Sequence, residues 1–226
     1  MPTRIPAAAL RRELGAIAAS QAGYFTADQA LSAGYEDANF GHHLGTGSWK
    51  RVTRGIYRLA DWPDQPGDDL LFWHLWSRGQ AVASHLSAIE HWGLGQLEAD
   101  RLHLTVPRTF RRALPQQLRP APVLHRRDLE WQRDVTFSDR GFKVTTVPRT
   151  IIDIAPLVDA DHLALTLQDA FSRGSLSPEL LERWMPQATP EGAETITRAR
   201  AQLKRGRCVS RESPPARPPR FGPGPS

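Results

Sequence analysis

The first third of the chain alternates short helix-like and strand-like patterns of apolar residues. Leu10, Leu14 and Ile17 recur at the spacing i, i+4 and i+7, which is typical of one apolar face on a helix. This pattern predicts an amphipathic helix over residues 8–21. A glycine follows it, and a brief extended step comes next.

Two further short helices are predicted before residue 47. Thr26 and Gln29 are three positions apart, the spacing of a capping box, in which each residue satisfies a backbone N–H of the other. The helix that they begin is expected to stop at Gly34. Asp37 is an acceptable N-cap, so we expect a third helix over 37–46.

A hairpin is predicted directly after the third helix. Residues 49–59 alternate and are rich in Val, Ile, Tyr and Trp, with Arg54 and Gly55 as the turn. Three helices and a hairpin within about 60 residues are the plan of a winged helix-turn-helix domain. We therefore assign residues 1–62 to a DNA-binding domain, which ends in a Pro/Gly/Asp-rich linker at 61–69.

The remainder of the chain has mixed patterns. Residues 70–77 are apolar nearly all round and predict a buried helix. Alternating segments that end near proline predict strands at 101–107, 121–126 and 141–148. Further helices are predicted at 85–92, 150–157 and 161–172. Two more are expected to begin at Ser177-Pro178 and Thr189-Pro190 and to end near Trp184 and Lys204, respectively.

The expected fold class is therefore α+β. A winged helix-turn-helix domain precedes a mixed α/β domain over residues 63–205, and residues 206–226 form a Pro/Arg-rich tail. Because prolines are dense there, we expect the tail to be disordered.

Composition places the chain among cytoplasmic proteins. Of its 226 residues 40% are hydrophobic, but no stretch has the roughly 18 apolar residues of a membrane span. The apolar N-terminus is interrupted by Arg11, Arg12 and Glu13, so it does not match a signal peptide. The single cysteine, Cys208, excludes an internal disulfide framework. We expect a soluble cytoplasmic protein without a membrane partner.

The positive net charge is by itself weak evidence for DNA binding. The chain carries a formal +5 and a pI near 10.0. Residues 198–226 hold eight basic residues and one acidic residue, and residues 101–149 hold eleven and four. Residues 1–62 hold seven and five, a net charge of only +2. The high pI therefore comes from the tail and one internal segment, and the case for DNA binding depends on placement.

The third helix has the polar face that a recognition helix needs. At about 100° per residue, Asn39, His42, His43 and Thr46 share one side, and Asn pairs well with adenine in the major groove. The alternative is an ordinary solvated face, but the neighbouring basic hairpin favours DNA binding. The predicted DNA-binding residues are Asn39, His42, His43, Thr46, Lys50, Arg51, Thr53, Arg54 and Arg58.

Searches for catalytic motifs are negative. The sequence has no G-x-S-x-G, no G-x-x-x-x-G-K-[ST] and no G-x-G-x-x-G. It also lacks HExxH and other close histidine pairs of metal-ligand spacing, so no metal, cofactor or catalytic residue is predicted. His103 and His125 are interpreted as packed or surface residues. Asp153 lies four residues after Arg149, and we interpret the two as a structural ion pair on a helix.

Six segments together resemble a known family. They are GYFTADQALSAGY, WKRVTRGIYRLADWP, SHLSAIEHWGL, LHLTVP, LHRRDL and GFKVTTVPRTIIDIA, and they are similar to the AbiEi-type antitoxins of type IV toxin–antitoxin (abortive infection) systems. The resemblance covers about residues 15–205. It implies a winged helix that binds inverted repeats upstream of its own operon and represses it. It also implies an α/β domain that neutralises a nucleotidyltransferase-like toxin without forming a stable complex with it. Such a system would act in phage defence.

The resemblance places operator contacts in the helix 37–46 and the wing 50–58. The resemblance does not identify the residues that carry antitoxicity. The basic segment 101–149 is a candidate surface for it, through Arg108, Arg111, Arg112, Arg126 and Arg127.

Other functions stay open. The chain is alternatively a stand-alone winged-helix regulator without an antitoxin role, or a truncated relative of proteins fused to a Vsr-like nuclease, because SRESPP near the end resembles their linker. A nuclease or nucleotidyltransferase is disfavoured by the missing carboxylate pairs. A winged helix that binds protein rather than DNA is a further alternative.

Overall fold

The structure, a computed structural model, describes residues 6–116 and 118–206. The predicted disordered tail lies outside the described residues apart from Gly206. The described chain divides into two compact units, the first formed by 6–79 and 138–142 and the second by the rest. Each unit contains helices and a sheet, so the predicted α+β class is confirmed.

The first unit contains every element predicted for the N-terminal third. Along the chain it contains α1 (Ala7–Ala19), β1 (Tyr24–Thr26), α2 (Ala27–Ser32), a 3₁₀ turn (Asp37–Asn39), α3 (Phe40–Gly45), β2 (Trp49–Thr53), β3 (Ile56–Leu59) and α4 (Asp68–Trp76). The capping box is confirmed, since Thr26 Oγ1 accepts from the Gln29 N–H at 3.1 Å and Gln29 Oε1 accepts from the Thr26 N–H at 2.9 Å.

A glycine sets the direction of the chain between α1 and β1. Gly23 has φ +81°, a conformation that favours glycine. A Cβ at this position would overlap the ring of Trp62. The residue therefore meets both a backbone and a packing requirement.

The three strands of the first unit form an antiparallel sheet in the order β1-β3-β2. The predicted hairpin is confirmed as β2 and β3, and β1 pairs along β3 with Tyr24 opposite Arg58. The pairing of β2 shifts between Arg51 and Thr53, as happens where one strand bulges.

Aromatic rings fill the core of the first unit. Phe25 and Tyr57 stack with centroids 5.7 Å apart, and Phe40 meets Trp49 edge-on at 5.2 Å. Pairs in these geometries add stability beyond the buried area. The apolar faces of α1, α2 and α3 therefore converge on one cluster that also includes both strands of the hairpin.

Helix α4 belongs to the first unit, although the predicted boundary lies at residue 62. The ring of Phe72 packs 5.8 Å from that of Tyr24, and the first turn of α4 is linked to β3 by an ion pair. The segment 61–69 is therefore a connection inside a compact unit. No helix in 6–116 or 118–206 is both long and apolar enough to cross a membrane.

The second unit has a five-stranded sheet in the order β6-β5-β4-β8-β7, with β4–β8 and β5–β6 parallel and the other pairs antiparallel. Its elements are β4 (Val82–Ala83), α5 (His85–Trp92), β5 (His103–Val106), β6 (Val123–Arg126), α6 (Trp131–Asp134), β7 (Val135–Phe137), β8 (Lys143–Thr145), α7 (Val147–Ile154), α8 (Ala160–Ser172), α9 (Pro178–Trp184), a 3₁₀ turn (Met185–Gln187) and α10 (Pro190–Lys204).

Caps and an apolar cluster account for the helices of the second unit. The side chains of Ser177 and Thr189 accept from the backbone N–H groups of Leu180 and Gly192, both at 3.1 Å, which satisfies donors that a helix start leaves open. Both predicted starts are confirmed. The core joins α5, α7, α8, α9 and α10 through fully buried side chains such as Ile151.

Candidate nucleic-acid interface

The segment 37–46 divides into a buried side and an exposed side. Phe40 is 3% exposed and packs on the aromatic core, whereas Asn39, His42 and Thr46 are exposed. The first residues form a 3₁₀ turn that starts at Asp37 itself, with Glu36 in the cap position. The predicted N-cap role of Asp37 is therefore wrong, but the predicted polar side is exposed at Asn39, His42 and Thr46.

His43 lies at the edge of this exposed face and contacts the hairpin. Its ring stacks on Trp49 with centroids 4.4 Å apart and planes at 18°, and its Nδ1 lies 3.3 Å from Ser48 Oγ. Burial, and then the charges of His42 and Arg11, lower the pKa of His43 below its ordinary value of 6.5. The lowered pKa favours the neutral ring, which stacks on Trp49 and contacts Ser48.

Three cations of the hairpin lie at its surface. Lys50, Arg51 and Arg54 are exposed, and Arg54 lies in the turn beside Gly55, whose φ is +78°. Neighbouring residues of a regular strand face opposite sides, yet both Lys50 and Arg51 are exposed next to the register shift. The guanidinium of Arg51 lies 5.7 Å from the centre of the Tyr57 ring, which positions it along the strand.

Two predicted DNA contacts are corrected by the structure. Arg58 is only 12% exposed in its side chain, because its Nε donates to the Ala22 carbonyl at 3.0 Å and its guanidinium pairs with Asp64 and Asp68. Thr53, the last residue of β2 before the turn, is 8% exposed. Both side chains are committed to the interior of the unit, so neither belongs to the candidate surface.

A cation outside the predicted set of DNA contacts lies close to α3. Arg11, exposed on α1, lines one groove together with Asn39, His42 and His43. Its charge contributes to the lowered pKa of His43. The helical period does place Arg11 off the apolar stripe of α1, but no sequence pattern relates α1 to α3.

The basic segment of the second unit has a partly structural role. Arg111 and Arg126 both donate to the carbonyl of Phe110, Arg111 at 3.1 Å, and thereby hold the chain after β5. Arg108 stays 74% exposed in its side chain, with Nε 4.0 Å from Asp128. The segment is therefore not a uniform row of free cations.

The predicted ion pair on α7 is confirmed and is buried. Arg149 is 1% exposed, and its Nε lies 3.0 Å from Asp153 Oδ2, with a second contact to Oδ1. Arg127, the residue after β6, adds a contact at 3.4 Å. The pair itself lies within α7, and the Arg127 contact links the helix to the end of β6.

Comparisons with known proteins agree with the first unit. Residues 12–60 match the model of a family described as "Transcriptional regulator, AbiEi antitoxin". The resemblance inferred from the motifs is therefore confirmed over these residues, which run from α1 to β3, and it supports a DNA-binding regulator role. No curated protein matches the chain.

One solved structure resembles nearly the whole chain. It is the crystal structure of the RV2827C protein from Mycobacterium tuberculosis, with a TM-score of 0.55 and 16% identity, covering 93% of this chain and 85% of that one. At this identity the likeness concerns the fold alone.

Proposed function

We propose that this protein is a DNA-binding autorepressor and antitoxin whose first unit is a winged helix-turn-helix domain. In this reading α2 and the 3₁₀–α3 segment are the helix-turn-helix, and β2 and β3 are the wing. The proposal is supported by the family match over residues 12–60 and by the surface described above.

One observation carries the DNA-binding part. The exposed polar residues of the 3₁₀–α3 segment and the exposed cations of the β2–β3 hairpin belong to elements whose inner faces share one aromatic core. Helix and hairpin are therefore held in a fixed relation, as simultaneous contact with a groove and its phosphates requires.

Each side chain has a chemical role in this arrangement. Asn39 offers an amide that both donates and accepts, suited to adenine, and His42 offers a ring nitrogen to a base edge or phosphate. Lys50, Arg51 and Arg54 supply charge to phosphates without reading sequence. The proposed surface comprises Asn39, His42, His43, Thr46, Lys50, Arg51 and Arg54, with Arg11 as an added phosphate contact.

The test is binding to the duplex upstream of the protein's own gene, compared with a random duplex of equal length, at about 150 mM salt by fluorescence anisotropy. We expect an inverted repeat to be preferred by at least about 1,000-fold, the range of specific over nonspecific binding. Asn39→Ala is expected to reduce this preference. Arg198→Ala is the matched control, since it removes an exposed cation from α10. Equal affinity for both duplexes excludes sequence-specific repression.

The antitoxin role needs a separate test. The expected partner is a nucleotidyltransferase-like toxin encoded beside this gene, neutralised without a stable complex. Co-expression is expected to restore growth of cells that make the toxin, also with the Asn39→Ala chain. Because the family match ends at residue 60, a regulator without antitoxin activity is the second candidate. Failed rescue together with intact operator binding selects it.

A further inference from the structure

Three histidines that are far apart in the sequence meet on the sheet of the second unit. His103 begins β5, and Thr105, two residues on, faces the same side and is the register partner of His125 on β6. His85 is the first residue of α5, immediately after Ser84, whose N–H donates to the His103 carbonyl at 3.0 Å. Strand pairing therefore brings all three imidazoles together.

The distances between the rings are those of a ligand set. One nitrogen from each ring lies within 4.8 Å of the other two, and His125 Nε2 is 3.1 Å from His103 Nδ1. Two nitrogens bound to one tetrahedral zinc ion at about 2.0–2.1 Å are about 3.3 Å apart. The His85 ring stacks on that of His125 with centroids 3.5 Å apart, so ligation by all three rings requires the His85 side chain to rotate.

The backbone and the neighbouring hydroxyl groups keep His85 beside the other two histidines. Its φ is +51°, which is uncommon for a residue other than glycine and concentrates at functional sites. Its Nδ1 is 2.9 Å from the Oγ of Ser84, which accepts from Thr105 Oγ1 at 2.8 Å. Ser84 is fully buried and Thr105 nearly so. Outer polar partners of this kind orient metal-binding imidazoles.

Two arginines act electrostatically on this cluster. Arg127 and Arg149 oppose a cation here, but both are paired with Asp153, which offsets part of their charge.

We propose that His85, His103 and His125 form a binding site for one divalent transition-metal ion, with zinc as the ion that fits best. The three ligands leave a fourth tetrahedral position for water or hydroxide. The site joins α5, β5 and β6, so its occupation stabilises the second unit. The spacings of the three ligands along the chain match no local motif, so the sequence pattern does not indicate the site.

The test uses the untagged full chain after chelator treatment and dialysis. Zn²⁺ titrated by calorimetry is expected to bind with one-to-one stoichiometry, and Co²⁺ to give the visible absorption of a four-coordinate ion. Zn²⁺ at about 100 times its Kd is expected to raise Tm by roughly 5–10 °C.

Two ligand variants and a control complete the test. His103→Gln and His125→Gln are each expected to abolish the one-to-one binding and the cobalt absorption. His162→Gln is the control, because His162 is exposed on α8 and outside the cluster. If one ligand variant fails to fold, the other and the wild-type titration decide. Absence of one-to-one binding by the wild type, or unchanged binding in a folded ligand variant, overturns the proposal.

Discussion

The guanidinium of Arg58 on β3 forms an ion pair with the carboxylate of Asp68 in the first turn of α4, with Nη2 2.8 Å from Oδ2. Arg140 pairs with the same carboxylate, and the Gln65 N–H donates to it at 3.0 Å. Asp68 is 5% exposed. A side chain predicted to touch DNA is therefore one of the links that hold the first unit together.

Arg58→Ala is expected to destabilise the protein by about 2–4 kcal/mol, because it leaves a buried carboxylate with fewer partners. Urea denaturation measures the loss. Arg54→Ala is the matched control, since it removes an exposed arginine two residues from β3 and is expected to change stability by less than about 0.5 kcal/mol. Equal stability of the two variants would show that the ion pair contributes nothing.

The wing cations are expected to act on the salt dependence of DNA binding. Each phosphate contact contributes about 0.9 to the slope of log K against log salt. Arg51→Ala and Arg54→Ala are each expected to reduce the slope by about that amount and to weaken specific and random duplexes alike. Anisotropy titrations at four salt concentrations supply the slopes. Unchanged slopes in both variants would remove the hairpin from the interface.

The buried pair on α7 gives a prediction for the second unit. Arg149→Ala is expected to cost about 3–5 kcal/mol, because Asp153 stays buried with only the weaker contact from Arg127. Replacing both partners, as Arg149→Met with Asp153→Leu, is expected to recover much of the loss. Denaturant unfolding of the three chains checks the order. A double variant no more stable than the single one contradicts this account.

The buried phenol of Tyr24 is expected to make the stability of the first unit depend on pH above pH 10. Burial raises the pKa of its phenol from 10.0 to about 12, although the charge of Arg58 works in the opposite direction. The unfolded chain ionises first, so the contribution of Tyr24 is fully present below pH 10 and is lost as the pH rises towards 12. The expected loss is up to about 1.4 kcal/mol per pH unit.

Unfolding free energies measured at pH 9, 10 and 11 check this expectation. Tyr24→Phe is expected to flatten the decline, leaving a smaller one from Tyr35, whose pKa burial also raises. An equally steep decline in the variant would assign the effect to other groups.

Local patterns predicted much of the fold. The capping box at Thr26, the proline starts at Pro178 and Pro190 and the Arg54–Gly55 turn depend on neighbours a few residues away, which the sequence displays directly. The two-residue strand β4, the short α6 and β7, and the pairing of β1 with β3 depend on partners distant in the chain. A pattern of three residues does not encode such partners.

The candidate sites divide in the same way. Periodicity predicted which side of segment 37–46 is exposed, because the helix repeat is local. It did not distinguish the exposed Arg54 from the largely buried Arg58, because the acidic partners of Arg58 lie further along the chain, in the connection to α4 and in α4 itself. Nor did it bring His85, His103 and His125 together, because strand register decides their meeting.

Ala83 is paired with Leu104 on one side and with Val144 on the other, so both halves of the second sheet meet at one residue. Val144, the parallel partner of Ala83, leaves the ribosome about sixty residues after Ala83. Closing so long a loop before the strands pair is slow. The aromatic cluster of the first unit needs nothing beyond Leu59. During synthesis, the first unit is therefore expected to form its aromatic core before the central strands of the second sheet can pair.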